Sequence, residues 1–299
     1  MEDKYSHNNT GSVERVEITE VKAAIVPLKV LLDAEEFRNS KAILPVAVGC
    51  DMTGNPCIID LAEAPHILMA GATKQGKTTS VHSLVLSLLR SGTPDYVKFV
   101  LIDPKGCELT AYKALDSGCI WSASDAPGVK VSTTPESADR ILSGLCREME
   151  DRCESSTSYG AGDASNVKKP YIIVVIDEYA DLVSFPGRDR KSVEMRDRIL
   201  EHILCLSRKG RAAGIHLVIT TQNLSNKVIS REIKDNFPTR MAFRVISRRD
   251  SRTVIDKAGA ECLAGSGDML LKYGDEIMHV RACGVSGDEL EKYISQCCK

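Results

Sequence analysis

Apolar positions in this chain follow two spacings. Short, nearly continuous apolar runs cover residues 99–102, 171–176, 215–220 and 241–246. The first three end on polar residues: Asp103, the pair Asp177-Glu178, and the pair Thr221-Gln222. Runs of this kind predict strands covered on both faces. Between them the apolar residues recur at helical intervals. Val81, Leu84, Val85 and Leu88 share one face, and Gly92 and Pro94 stop that helix. Residues 138–152 and 192–212 read as further helices, the second ending before Gly214. Strand–helix alternation predicts an α/β fold: a mostly parallel sheet flanked by helices.

The ends of the pattern differ. Residues 44–48 read as a strand, 51–55 as a turn, and Ile58-Ile59 as the returning strand of an N-terminal β-hairpin. Residues 269–273 and 277–283 form a closing hairpin around Gly274-Asp275-Glu276. Val26, Leu28, Val30, Leu31 and Leu32 make a short apolar segment. Residues 1–26 are read as a flexible polar N-terminus and 27–299 as one domain. The stretches 155–169 and 184–191 have loop composition and are expected to be mobile. No internal repeat occurs.

Composition narrows the reading only slightly. The 299 residues carry a formal net charge of −2, so any nucleic-acid footprint has to be local. Eleven cysteines are scattered without a C-x-x-C pair, and Cys146 and Cys205 lie in helical apolar runs. Reduced thiols in a cytoplasmic setting are expected, with no cysteine metal site. No apolar run is long enough to cross a membrane, and Met1-Glu2-Asp3-Lys4 does not open a signal peptide.

The chemistry concentrates after the strands. Gly71-Ala72-Thr73-Lys74-Gln75-Gly76-Lys77-Thr78 is a G-x-x-x-x-G-K-T phosphate loop. Apolar residues 67–70 precede it and the 81–88 helix follows, so backbone N–H groups and a positive helix end converge there. Residues 71–79, Thr79 included, are the expected nucleotide cradle. Lys77 is expected on the β- and γ-phosphates and the Thr78 hydroxyl on Mg²⁺. Asp177 closes a buried strand, the position from which a carboxylate reaches that Mg²⁺. Glu178 beside it can polarise a water for attack on the γ-phosphate. Gln222 either bonds the γ-phosphate or attacking water, or belongs to a plain turn. Arg240, Arg244, Arg248, Arg249 and Arg252 cluster together. Arg240 or Arg252 could reach a neighbouring subunit's phosphate, or form a surface ion pair. His66 and His216 are expected to be packed rather than catalytic.

At these motifs the chain resembles the motor domain of the FtsK/SpoIIIE family of DNA translocases. The likeness is carried by Leu44-Pro45-Val46-Ala47-Val48-Gly49, by Pro65-His66 leading into the phosphate loop, and by Ile102-Asp103-Pro104-Lys105 with Glu108-Leu109 and Tyr112. It continues through residues 147–152, 170–182 and 210–217, Pro238-Thr239-Arg240, Asp250-Ser251-Arg252-Thr253 and residues 265–270. It covers about 27–295. The resemblance implies a RecA-like ATPase domain that assembles into a hexameric ring around double-stranded DNA, with ATP at subunit interfaces. It implies ATP hydrolysis coupled to translocation, in DNA transfer, segregation or packaging for a mobile element or phage. Related ring ATPases serve conjugative coupling or protein secretion, and a nucleotide-gated DNA-binding module is a third reading. Arg188, Arg190 and Lys191 are candidates to grip the DNA backbone, or a solvated charged loop. The family's membrane anchor and winged-helix reader have no counterpart in this sequence, so membrane tethering is expected only through a partner.

Overall fold

The computed structural model of the chain describes residues 26–92, 95–124, 126–158, 169–185, 187 and 189–297. Two short helices open it, α1 (Leu28–Asp33) and α2 (Glu35–Arg38), followed by the hairpin β1 (Pro45–Asp51) and β2 (Pro56–Asp60). The apolar segment before Asp33 is thus the inner face of a helix: Leu28, Leu31 and Leu32 are buried and Val30 is exposed. Then come β3 (His66–Ala70), α3 (Lys77–Ser91), β4 (Val97–Ile102), α4 (Pro135–Ser158), β5 (Tyr171–Ile176), α5 (Tyr179–Val183) and α6 (Arg190–Lys209). The chain ends with β6 (Ile215–Thr221), α7 (Arg231–Asn236), β7 (Thr239–Phe243), α8 (Arg248–Ile255), β8 (Asp268–Tyr273), β9 (Glu276–Ala282) and α9 (Gly287–Cys297).

Among the described residues, the nine strands lie in one sheet, ordered β2-β1-β9-β8-β7-β3-β6-β5-β4. The five strands from β7 to β4 are parallel. The four from β8 to β2 run antiparallel to their neighbours. The sheet is therefore mixed, and the two hairpins read from sequence form its antiparallel half. In the parallel half, side chains alternate between two cores. Ile67, Met69, Phe99, Leu101, Ile173 and Val175 join the core that also holds Val81, Leu84 and Leu88 of α3. Leu68, Val100, Ile102, Ile172, Val174 and Ile176 join the opposite core with Leu142 and Leu145 of α4 and Ile199, Ile203 and Leu206 of α6. Burial on both faces is why these strands read as apolar runs.

Two boundaries moved. The strand expected to reach residue 246 ends at Phe243. There Arg244 O accepts from Ala72 N (3.0 Å) and Val245 N donates to Ala260 O (3.2 Å), so the chain leaves the sheet and Ile246 projects outward, 91 % exposed. Helix α6 stops at Lys209, and residues Gly210–Ala213 continue as a single 3₁₀ turn. Pro94, Arg188, residues 1–25 and most of the 155–169 stretch lie outside the described residues.

The histidines are packed, as their places beside strands suggested. His66 and His216 are each 1 % exposed, with ring centres 6.4 Å apart, and His66 also meets Phe237 at 5.5 Å. His66 Nδ1 accepts from Leu217 N, and His216 Nδ1 donates to Pro65 O, both at 3.0 Å. Burial pushes His66 down to about 3, with help from His216, and His216 down to about 4. Both stay neutral when folded and take up protons in the unfolded chain near pH 6.5. Their contribution is full above about pH 7 and is lost as pH falls below 6.5, down to about 4 for His216 and about 3 for His66. Between pH 7.5 and 5.5, His216 should cost wild type about 1 kcal/mol of unfolding free energy that a His216→Gln variant does not lose. Urea midpoints at the two pH values measure this. Equal pH dependence in both proteins contradicts it.

Candidate active site

The phosphate loop joins β3 to α3 at the carboxyl end of the parallel strands, where α/β sheets bind ligands. Two glycines are required by their surroundings. A Cβ on Gly71 (φ +156°) would lie 2.7 Å from Phe243 Cβ, and one on Gly76 (φ +118°) would lie 2.9 Å from Gly267 Cα. The loop is tied to three neighbours: Gly71 N donates to Thr221 O (3.4 Å), Ala72 N to Arg244 O (3.0 Å) and Gly267 N to Gln75 O (2.9 Å). Lys77 is 7 % exposed and curls back, its Nζ donating to the Gly71 and Ala72 carbonyls at 2.7 Å each. Burial pushes it down to about 8, while Glu178 and Asp177 pull the other way.

A cleft of about 570 Å³ opens beside the loop. Thr73, Lys74, Gly76, Lys77, Thr78 and Thr79 line one wall. Lys105, Glu108, Asp177, Thr220 and Gln222 contribute a second, and Ser266, Gly267 and residues 282–285 close the far side. Of the expected cradle, Gly71 and Ala72 lie behind the cleft as acceptors for Lys77, and Gln75 is anchored to Gly267.

The acidic pair meets this cleft through the β5–β6 register, which sets Ile176 beside Ile219. The Thr220 hydroxyl donates to Asp177 Oδ1 (2.8 Å) and accepts from Glu178 N (3.1 Å). The Thr221 hydroxyl donates to Glu178 Oε1 (2.9 Å), and Gln222 N reaches both carboxylate oxygens at 3.1 and 3.2 Å. Glu178 adopts left-handed backbone angles (φ 49°, ψ 67°), an uncommon state for a residue with a side chain. Asp177 and Glu178 are 8 % and 4 % exposed. Burial, and then the charges of Asp103, Glu108 and Glu178, push Asp177 up to about 6 against the Thr220 bond. A buried carboxylate among other carboxylates, with the Thr78 and Thr220 hydroxyls on the same cleft, suits a hard oxygen-seeking dication such as Mg²⁺.

The other expected residues divide. Gln222 Oε1 accepts from the Thr73 hydroxyl at 2.6 Å, so its side chain links the phosphate loop to the end of β6. Arg240 does not project from the surface. Its side chain is 8 % exposed, and it donates to Phe237 O (3.0 Å), Val254 O (3.1 Å), Lys234 O (3.1 Å) and Asp256 Oδ2 (2.6 Å). These bonds engage all three guanidinium nitrogens within its own chain, so the structure favours the ion-pair alternative of the sequence reading, with the pair buried on the Arg240 side. Arg252 is exposed on α8. Arg190 is 91 % exposed and pairs with Glu194, and Lys191 is exposed next to it. Lys105, Glu108 and Thr220 had no assigned role in the sequence reading. One signal was available, because Asp103-Pro104-Lys105 ends β4 just as Asp177-Glu178 ends β5.

Comparisons with known proteins identify the family. The family model described as FtsK/SpoIIIE family matches residues 27–166 and 156–226, and the chain belongs to that family. The DNA translocase FtsK of Haemophilus influenzae is 38 % identical over 301 residues, covering 92 % of this chain and 55 % of that protein. The DNA translocase FtsK of Chlorobaculum tepidum is 40 % identical over 264 residues, covering 86 % of this chain and 32 % of that protein. The chain thus spans about half or less of these relatives. Among solved structures, the pCW3 conjugation coupling protein TcpA, a monomer form with ATPγS, superposes with a TM-score of 0.76 at 26 % identity, covering 92 % of this chain and 74 % of that one.

The Arg240 network makes a distinct forecast. Arg240→Ala removes one of the three cations around Asp256, Lys234 and Lys272 remaining, and takes the side-chain donor from the Phe237, Val254 and Lys234 carbonyls; it should lower unfolding free energy by about 2 kcal/mol. Denaturant unfolding measures it. An unchanged midpoint with abolished nucleotide turnover would return Arg240 to a catalytic role.

Proposed function

We propose that this chain is an ATPase whose hydrolysis drives movement of double-stranded DNA, working as a homo-oligomeric, hexameric ring. The observation that carries the reading is the single cleft in which Lys77 and Thr78 face Asp177, with Glu178 fixed beside it. Family membership and the names of the FtsK relatives support DNA as the cargo. The nine free thiols among the described residues fit a reducing, cytoplasmic setting. No described helix is long and apolar enough to cross a membrane.

In this mechanism Lys77 leaves its loop carbonyls for the β- and γ-phosphate oxygens. Thr78 and Asp177 would hold Mg²⁺, which when bound would offset charge building on the phosphate oxygens. Glu178 accepts a proton from the attacking water. The water oxygen bonds to the γ-phosphorus as its bond to the β–γ bridging oxygen breaks, leaving ADP and phosphate. Gln222 couples the end of β6 to the phosphate loop through Thr73. Of Arg240 and Arg252, Arg252 is the one exposed to a neighbouring subunit. Arg190 and Lys191, both exposed, are available to DNA phosphates.

The coupling-protein neighbour favours a second reading of the process served, in which the same motor feeds DNA to a conjugation apparatus. Both readings make the same enzymatic prediction. Duplex DNA should raise ATP turnover, and the stimulation should weaken as salt rises. Glu178→Gln should keep ATP affinity within about twofold while turnover falls about a hundredfold or more. Normal turnover in that variant removes Glu178 as the base. Turnover indifferent to DNA, in a chain that stays monomeric with a non-hydrolysable nucleotide, contradicts the motor.

A further inference from the structure

Lys105 occupies a place in this cleft that the hydrolytic mechanism leaves unused. The β4–β5 pairing sets Ile102 beside Ile176, and Asp177 N donates to Ile102 O at 2.8 Å. The residues after β4 therefore run level with the acidic pair. The fully buried Asp103 fixes their course. Its Oδ1 accepts from Lys105 N (3.1 Å) and Gly106 N (2.8 Å), and its Oδ2 from Glu108 N (2.9 Å) and Leu109 N (3.0 Å). Four backbone bonds on one carboxylate make a stiff turn, with Lys105 carried on its rim.

From that rim the Lys105 ammonium stands 3.5 Å from Glu178 Oε2 and 3.5 Å from Asp181 Oδ2. The two acceptors differ. The Glu178 side chain is 6 % exposed and held by Thr221 and Gln222, whereas Asp181 is 44 % exposed on α5. Lys105 itself is 45 % exposed and lines the cleft with Lys77. Long contacts at a half-exposed cation contribute little to stability, so this bridge is easily exchanged. A terminal phosphate entering between the two lysines brings more negative charge than either carboxylate, together with oxygens suited to an ammonium.

We propose that Lys105 is a positioning residue that senses the terminal phosphate: in the empty cleft it covers Glu178 Oε2, and it trades Glu178 and Asp181 for the γ-phosphate when a triphosphate binds. The exchange leaves Oε2 open to accept a hydrogen bond from water while Thr221 and Gln222 keep the carboxylate aimed. Hydrolytic readiness is thereby linked to the presence of the third phosphate. The inference rests on the ATPase reading and adds a residue to it.

The test is the ratio of ATPγS to ADP affinity, measured by calorimetry with Mg²⁺ on the full chain. Lys105→Met should reduce the preference for ATPγS about tenfold, because only the triphosphate recruits the missing ammonium. ADP affinity should stay within about twofold, turnover should fall, and Lys105→Arg should restore most of the preference. Asp181→Asn removes a competing acceptor at an exposed position and should raise the preference about two- to threefold. An unchanged ratio in Lys105→Met or in Asp181→Asn overturns the proposal. If wild type binds neither nucleotide, the ATPase reading fails instead, which is a different result.

Discussion

One threonine hydroxyl organises the acidic side of the cleft. Thr220 donates to the Asp177 carboxylate and accepts from the Glu178 backbone, so consecutive residues of β5's extension are pinned by a single group on β6. The left-handed backbone at Glu178 costs about 1–3 kcal/mol in such residues, and the two adjacent side chains find different partners on β6. Asp177 faces the cleft, while Glu178 turns to Thr221 and Gln222. The same strand end serves the phosphate loop, because Thr221 O accepts from Gly71 N and Gln222 Oε1 from the Thr73 hydroxyl. β6 therefore measures the distance between the two halves of the site, and it can do so because it pairs with β3 on one side and β5 on the other.

The antiparallel half of the sheet has its own task. It carries Ser266 and Gly267 to the far wall, and it sets Gly267 so close to Gly76 that neither the loop nor the wall has room to drift. Asp268 anchors that corner by accepting from Ala264 N (2.8 Å) and from His279 (2.7 Å). The lead-in hairpin is part of the same continuous sheet through β1 and β9. Its packing reaches α3, where Ser83 donates to Ala47 O and Ser87 to Ser83 O, with Ala47 N donating back to Ser87. The helix that presents Lys77 and Thr78 is thus braced by the first strand of the domain.

Much of this was legible in the sequence because it depends on local pattern. The phosphate loop needs glycines where backbones nearly touch, and buried strands ending in acids leave an unmistakable run, as at 172–178. The mixed character of the sheet followed from the two hairpins once their place in the order was known. What stayed hidden was decided by partners distant in sequence. Arg240 looks like any arginine in a basic cluster, and its burial depends on Asp256 and on carbonyls from Lys234, Phe237 and Val254. Lys105 stands after a buried strand, as Glu178 does, but that they meet is decided by the pairing of β4 with β5. Ile246 extends an apolar run by composition, yet bonds from Ala72 and Ala260 end the strand before it. Helix α8 did leave a local sign, the capping box Ser247 to Asp250, which the strand reading of its neighbours masked.

The central claim is that the phosphate loop and the acidic pair share one metal–nucleotide site. The most direct measurement is binding of Mn²⁺, a spectroscopic stand-in for Mg²⁺, in the presence and absence of ATPγS, by electron paramagnetic resonance. Nucleotide-dependent Mn²⁺ binding is expected in wild type. Thr78→Ala and Asp177→Asn should each weaken it about tenfold or more, although Thr78 opens α3 and Asp177 follows β5. Mn²⁺ affinity unchanged in either variant would contradict the shared site, because the loop and the acid would then not meet around one ion.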